Sequence, residues 1–244
     1  AATLALPEDA ELVVGLGGSA TVDAGAGLAY ALGWRLLDED GEPILPCGSG
    51  LRRLDHIEPP PLSTVAARPR VLADVTNPLL GPAGAAPVFG PQKGASPRDI
   101  PVLETGLQRW ADVVRRDLGA DVADLPGGGA AGGLGAALAA LFDVPVEPGA
   151  EWVLEAVDFN RLLDSAQAVV TGEGAWDEQS SMGKITGAVI RRARERDVPV
   201  LVVAGAFDAP LPPGVVGRGG VELDEDGLVR ETREGLEALL GGAG

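Results

Sequence analysis

Between Ala168 and Val203 an apolar strand at Ala168–Thr171 leads into a polar loop, a helical stretch ending near Arg196, and a second apolar strand at Val198–Val203. Strands joined in this way pair in parallel through a right-handed crossover. The pattern therefore commits this part of the chain to an α/β layer architecture.

The first half repeats the theme with more glycine. Glu11–Leu16 reads as a buried strand, Gly17-Gly18-Ser19 as the turn after it, and Ala24–Leu32 as an alanine-rich helix. Trp34–Asp38 and Pro43–Leu45 flank Asp40-Gly41, a pair suited to a tight hairpin. Arg70–Val75 is a further strand that ends at Thr76-Asn77-Pro78, with a glycine- and proline-rich loop running to Gly94. Ser96, Pro97 and Asp99 form a helix start, and Ile100, Leu103, Leu107, Trp110, Val114 and Leu118 then recur at helical spacing. Pro126–Gly135 is a glycine-dense loop feeding a closely packed helix at Ala136–Phe142. After a proline-rich passage at Asp208–Gly214, a short strand and a helix around Glu231–Leu240 close the chain. The change of pattern between Gly149 and Asp164 sets the expected boundary, with residues 1–158 in one α/β domain and 159–244 in a second.

Composition narrows the function classes. The 244 residues are 45% hydrophobic, enough for one large or two modest domains with buried cores. Thirty-six acidic against 19 basic residues give a net charge of -17, which argues against nucleic acid or an anionic membrane as partner. An anionic ligand would need a local positive trap. The single cysteine, Cys47, leaves no intrachain disulfide, and a reducing cytoplasm fits. His56 is the only histidine, so triads and multi-histidine metal sites are not expected. No apolar run approaches the roughly 20 residues that span a bilayer. Ala1 reads as something other than a native start.

That trap has two obvious members. Only two of the basic residues are lysines, and both sit in glycine-flanked loops, Pro91-Gln92-Lys93-Gly94 and Met182-Gly183-Lys184. A compact ammonium suits phosphate, which points to phosphoryl chemistry. Thr171 to Lys184 combines Glu173, Asp177 and Glu178 with three hydroxyl side chains and Lys184, the groups needed to hold Mg²⁺, offset polyphosphate charge and orient an acceptor. It is not a Walker A loop, since Glu178 replaces the first glycine and Ile185 the metal-binding hydroxyl. Gly15 to Ala20 matches a dinucleotide fingerprint, with Asp38 as the ribose acid, but the same loop could cradle an anion through Ser19 and Thr21. A third cluster places Asp74 and Asn77 at a strand end, ahead of Lys93.

Taken in order, these stretches resemble the glycerate kinase family of the bacterial type I, glycerate 2-kinase kind. The matching residues are Gly17 through Gly27, Asp74 through Gly81, Phe89 through Ala95, Gly129 through Gly135, and Thr171 through Gly174 with Asp177, Gln179, Gly183 and Lys184. The resemblance implies a two-domain α/β fold, with an inserted domain and a Rossmann-like parallel-sheet domain of which residues 159–244 are the C-terminal part. It implies transfer of the ATP γ-phosphoryl group to a hydroxyl of D-glycerate with Mg²⁺, in a cleft reached by the loops around Ser19, Asp74, Lys93 and Lys184. Lys184 and Lys93 would then contact phosphate or the substrate carboxylate. Asp74, Glu173 and Asp177 would bind Mg²⁺ or orient the acceptor, while Ser19, Thr21, Asp23 and Asn77 position substrate. Family members begin with a segment bearing Asp-Ser-Phe-Lys, which these residues do not contain, so a partial second domain, an exposed sheet edge and a homodimer are expected. Val22 and Ala175-Trp176 depart from the family pattern, and the second departure removes a positive charge. The rival readings are a non-catalytic homologue that binds small acids or a partner chain, and a dinucleotide-binding oxidoreductase.

Overall fold

The computed structural model describes residues 10–60, 68–178, 180, 184–219 and 224–241. The chain divides into two units, Ala1–Pro148 and Gly149–Gly244, each with its own parallel sheet. The division falls ten residues ahead of the expected 158/159 boundary. The physical reason is α5 (Gly149–Ala156), whose Ala150 and Leu154 bury against Ala188 and Val189 of the helix Ile185–Arg194, inside the second unit. Arg192 adds a 2.9 Å hydrogen bond to Glu151 in the same contact.

In the first unit, β1 (Val13–Leu16), β4 (Arg70–Ala73) and β5 (Val146–Pro148) form a parallel sheet in the order β1-β4-β5. The register pairs Leu16 with Ala73, so the chain leaves β1 at Gly17 and β4 at Asp74 side by side. Carboxyl ends of adjacent parallel strands are where open α/β sheets hold ligands. Helix α4 (Ala130–Phe142) covers this sheet by packing Leu138 and Ala130 against Leu16, Val71 and Ala73. Helix α3 (Asp99–Leu118) starts where Asp99 accepts hydrogen bonds from the Ser96 amide at 2.8 Å and its hydroxyl at 2.6 Å, and ends at left-handed Gly119. Its inner stripe of Leu107, Trp110, Val113 and Val114 packs with Leu51, Leu54 and Leu79. Each such fully buried side chain contributes about 1.5–3 kcal/mol.

The expected hairpin forms only in part. Asp40-Gly41 does make the tight turn, but β2 (Arg35–Leu37) takes β3 (His56–Glu58) as its antiparallel partner and keeps a single bridge from Leu37 to Pro43. Buried Asp38 holds the turn by accepting from the amides of Asp40 and Glu42 at 3.2 and 3.0 Å and pairing with Arg53 at 2.5 Å. Both its oxygens are occupied and β2 lies outside the β1 sheet, which removes the dinucleotide reading.

In the second unit, β6 (Val169–Trp176), β7 (Val200–Phe207) and β8 (Val215–Gly219) are all parallel, in the order β6-β7-β8. The loop expected from Thr171 does not begin there. β6 continues to Trp176 because β7 offers ladder partners as far as Phe207. Trp176 is fully buried among Ile190, Ala193 and Val202, and its indole N–H donates to the Pro210 carbonyl at 3.3 Å. The helix Glu225–Gly241 lies on β7 and β8, where Gly235 meets the Leu201 side chain too closely for a larger residue. Among the described residues β6 has no strand on its outer edge, and Val170, Leu228 and Val229 are exposed.

Candidate functional site

The first unit holds a polar pocket at the ends of β1 and β4. It is a cavity of about 400 Å³ lined by Gly17–Ser19, Asp74, Phe89, Gln92, Lys93 and Ala131 among others. Lys93 closes one side, donating from Nζ to Ser19 Oγ at 2.7 Å and to the Thr21 carbonyl at 2.8 Å. Two of its three N–H groups are thereby used by neutral acceptors, leaving one donor and the charge itself. Burial pushes the Lys93 ammonium below the usual lysine range, with the Asp23 charge opposing that shift. Asp74 is exposed at the end of β4, with no hydrogen bond or ion pair of its own among the described residues.

The other residues expected to touch substrate, Thr21, Asp23 and Asn77, do not line the cavity; their contacts hold the loops that do. Asp23 accepts from the Gly25 amide at 3.0 Å, and its own amide donates to the Gly132 carbonyl at 3.2 Å. The Asn77 side chain donates to the Ala83 carbonyl at 2.8 Å, while its carbonyl accepts from the Gly129 amide at 2.9 Å. Val22 is buried in the core, which accounts for an apolar residue at that position. Two left-handed stretches interlock here, Ala24-Gly25 and Ala131-Gly132-Gly133. A side chain at Gly132 would collide with the Thr21 carbonyl. The glycine-dense stretch is thus the mould against which the Ser19–Asp23 loop is set.

In the second unit, Lys184 stands at the N-terminal cap position of the helix Ile185–Arg194. Its Nζ lies 3.5 Å from Glu173 and 3.4 Å from both carboxylate oxygens of Asp177. These are loose contacts, beyond the usual 2.7–3.2 Å of a strong hydrogen bond. Ser180 fixes Asp177, donating from its amide at 2.8 Å and its hydroxyl at 2.9 Å, and accepting from the Asp177 amide at 3.1 Å. These hydrogen bonds, with help from Lys184, hold the Asp177 carboxyl below the usual carboxylate range. Two carboxylates against one ammonium leave the cluster net negative. Glu173 Oε1 is buried without a partner among the described residues, and Asp177 Oδ2 has only the distant lysine. Mg²⁺ uses one or two carboxylates together with substrate phosphates, so this donor set fits it.

Ser180 counted only as one of three hydroxyls in its segment and Gln92 only as part of the Phe89–Ala95 match, so sequence reasoning gave neither a role of its own. The three-residue interval from Asp177 to Ser180 is the legible sign of a reciprocal turn. Gln179 and Gly183, which carried part of the resemblance, lie outside the described residues. A larger cavity of about 840 Å³ lies against β6, β7, Leu228 and Thr232. It is mainly apolar and has no basic side chain, but Glu173 of the Lys184 cluster is among its lining residues, so the cavity adjoins that cluster.

A strand-end pocket with a lysine-braced glycine loop, and a carboxylate-lysine cluster at a second parallel sheet, define a two-unit α/β protein with one polar cluster built around a lysine in each unit. The glycerate kinase family model matches residues 4–213. The chain is 46% identical over 209 residues to a glycerate kinase of Halalkalibacterium halodurans, covering 83% of this chain and 54% of that one. It is 40% identical over 215 residues to the glycerate 2-kinase of Escherichia coli K12, covering 86% and 55%. A crystal structure from Salmonella typhimurium LT2 assigned to glycerate kinase 2 superposes with a TM-score of 0.73 at 40% identity, covering 96% of this chain and 65% of that chain. The chain belongs to the glycerate kinase family. It spans about half the length of the curated relatives it matches.

Proposed function

We propose that the chain supplies the acceptor pocket and the phosphate-handling cluster of an ATP-dependent glycerate kinase. The observation that carries the reading is the placement of the only two lysines in an acidic chain, each inside a polar cluster. In the reaction, a hydroxyl oxygen of D-glycerate attacks the γ-phosphorus of ATP. The bond to the β,γ-bridging oxygen breaks, the hydroxyl proton passes to a base, and ADP and phosphoglycerate leave.

In the pocket, the remaining Lys93 donor takes the substrate carboxylate, while Ser19, Thr21, Asp23 and Asn77 keep the surrounding loops in place. Asp74, an acceptor without a partner, takes a hydrogen bond from the acceptor hydroxyl. The Lys184 ammonium offsets charge on the transferring phosphoryl group, and its loose contacts leave it free to shift toward that group. Glu173 and Asp177 would hold Mg²⁺, with Asp74 the third carboxylate expected from the sequence to do so; when bound, the ion neutralises phosphate charge.

The first unit corresponds in this reading to the inserted domain, and the second to the C-terminal part of a Rossmann-like domain. The protein is read as cytoplasmic and as acting on a small acid, and the whole chain's net charge of -17 supports the absence of nucleic acid or an anionic membrane as partner. The outer edge of β6 is where a further strand, or a second copy in a homodimer, would pair. Glycerate-dependent ADP release from ATP tests the proposal, with loss expected on Lys93→Ala and on Lys184→Ala. One second reading is acid binding without turnover, since every residue lining the acceptor pocket belongs to the first unit. Retained glycerate binding with no ADP release would select it.

A further inference from the structure

The pocket of the first unit contains a polar side chain that the proposed reaction leaves unused. Gln92 is exposed and lines the cavity, and its amide makes no hydrogen bond among the described residues. Its backbone is nevertheless fixed. Pro91 opens the 3₁₀ turn Pro91–Lys93, the Lys93 amide donates to the Gly90 carbonyl at 3.0 Å, and the Gly94 amide donates to the Pro91 carbonyl at 3.0 Å. Lys93 is in turn tied to Ser19 and Thr21. A side chain on so constrained a turn is aimed at the cavity without much further loss of backbone freedom on binding.

Besides Ser19, whose Oγ accepts from Lys93 and keeps its own O–H, three lining polar side chains have spare capacity and differ in kind. Lys93 offers a cationic donor, Asp74 accepts only, and the Gln92 amide both donates and accepts. A 2,3-dihydroxy acid presents three groups to match: a carboxylate, a hydroxyl that must donate its proton as it reacts, and a spectator hydroxyl that can donate and accept. We propose that Gln92 is a specificity-determining residue that holds the hydroxyl of glycerate that is not phosphorylated, so that the pocket prefers a dihydroxy acid to a monohydroxy acid. A site built to hydrogen-bond a hydroxyl disfavours the analogue lacking it, because the site's own polar group is then covered and unpaired. The inference rests on the reading of this pocket as the acceptor site.

The test is calorimetric titration of the chain, as wild type, Gln92→Leu, Gln92→Met and Lys93→Ala, with D-glycerate, D-lactate and 3-hydroxypropanoate. Wild type is expected to bind glycerate about tenfold more tightly than the acid lacking the spectator hydroxyl. Gln92→Leu should erase that gap by weakening glycerate alone, leaving the monohydroxy acid and the melting temperature unchanged. If leucine lowers the melting temperature, the near-isosteric, uncharged Gln92→Met, which has neither the amide donor nor its carbonyl acceptor, carries the comparison and should also lose the gap. Selectivity that survives both substitutions overturns the role of Gln92 while leaving the acceptor site standing. Equal glycerate binding by wild type and Lys93→Ala, or none by wild type, overturns the acceptor site and the Gln92 proposal with it.

Discussion

The two lysines use the same functional group in opposite electrostatic settings. Lys93 is half-buried and bound at 2.7 and 2.8 Å to neutral oxygens, so its charge is only distantly opposed by Asp23. Lys184 stands between two carboxylates at 3.4–3.5 Å, and its surroundings remain net negative. In the proposed reaction the first arrangement would trap an anion and the second would seat a cation that brings its own phosphate. The backbones differ in the same sense. Beside the first site Gly132 permits no side chain, because the Thr21 carbonyl fills the space, whereas Gly174 next to Glu173 has open space around it.

The largest effect should follow from breaking the mould. Gly132→Ala puts a methyl group into the Thr21 carbonyl at a left-handed position and should destabilise the first unit by roughly 3 kcal/mol or more. Gly174→Ala, the matched change in the second unit, should shift stability by less than about 1 kcal/mol. Thermal melts of the two variants decide this, and equal losses would end the contrast.

Lys184→Ala should lower glycerate-dependent ADP release by roughly a hundredfold or more, the usual cost of one preorganised electrostatic contact, with little change in melting temperature. Lys184→Arg should rescue poorly, since a planar guanidinium does not fit the seat of a compact ammonium. An unaffected rate at unchanged stability would return Lys184 to an ordinary helix-capping residue.

Lys93→Ala should weaken glycerate binding by about tenfold, and it should also cost about 1 kcal/mol of stability because Ser19 and the Thr21 carbonyl lose a donor. A change in turnover with glycerate affinity intact would mean that the two lysines have exchanged roles.

The smallest effects concern pH. Lys93 is shifted downward from 10.5, so its protonated form is disfavoured in the folded chain, and that penalty is relieved as pH rises from the folded value toward 10.5. Glycerate affinity should therefore begin to fall at a pH below the ordinary lysine value, and a flat profile up to 10.5 would contradict the burial of this ammonium. Asp177 is shifted downward from 3.8, so its stabilising contribution is present above that value and is lost as pH falls through the lower folded one. Ser180→Ala should shrink that acid-side dependence in melting experiments, because Ser180 is its main cause.

Much of the fold was legible because it rests on local pattern. The 3.6-residue stripe from Ile100 to Leu118 and the Ser96–Asp99 start gave α3 almost to the residue, and the apolar runs gave β1, β4 and β7. Misreadings arose where long-range pairing overrode local composition. Gly172-Glu173-Gly174 looks like a loop in isolation but is strand because β7 supplies the ladder, and Trp34–Asp38 looks like half a hairpin but pairs mainly with His56–Glu58. The site divides in the same way: the motif residues were readable, while the commitment of Asp23 and Asn77 to backbone contacts was not.

The sequence by itself determined the α/β class, the acidic surface with two lysines held back for loops, and the glycines that let Thr21 and Gly132 meet, since each depends on residue type and spacing. Only the tertiary structure decided that β1 and β4 lie in register, so that Gly17 and Asp74 emerge together, and that Lys184 stands between Glu173 and Asp177. Those outcomes depend on contacts between residues distant in the chain, or on the direction in which a turn aims its side chains, and neither is encoded in any local stretch.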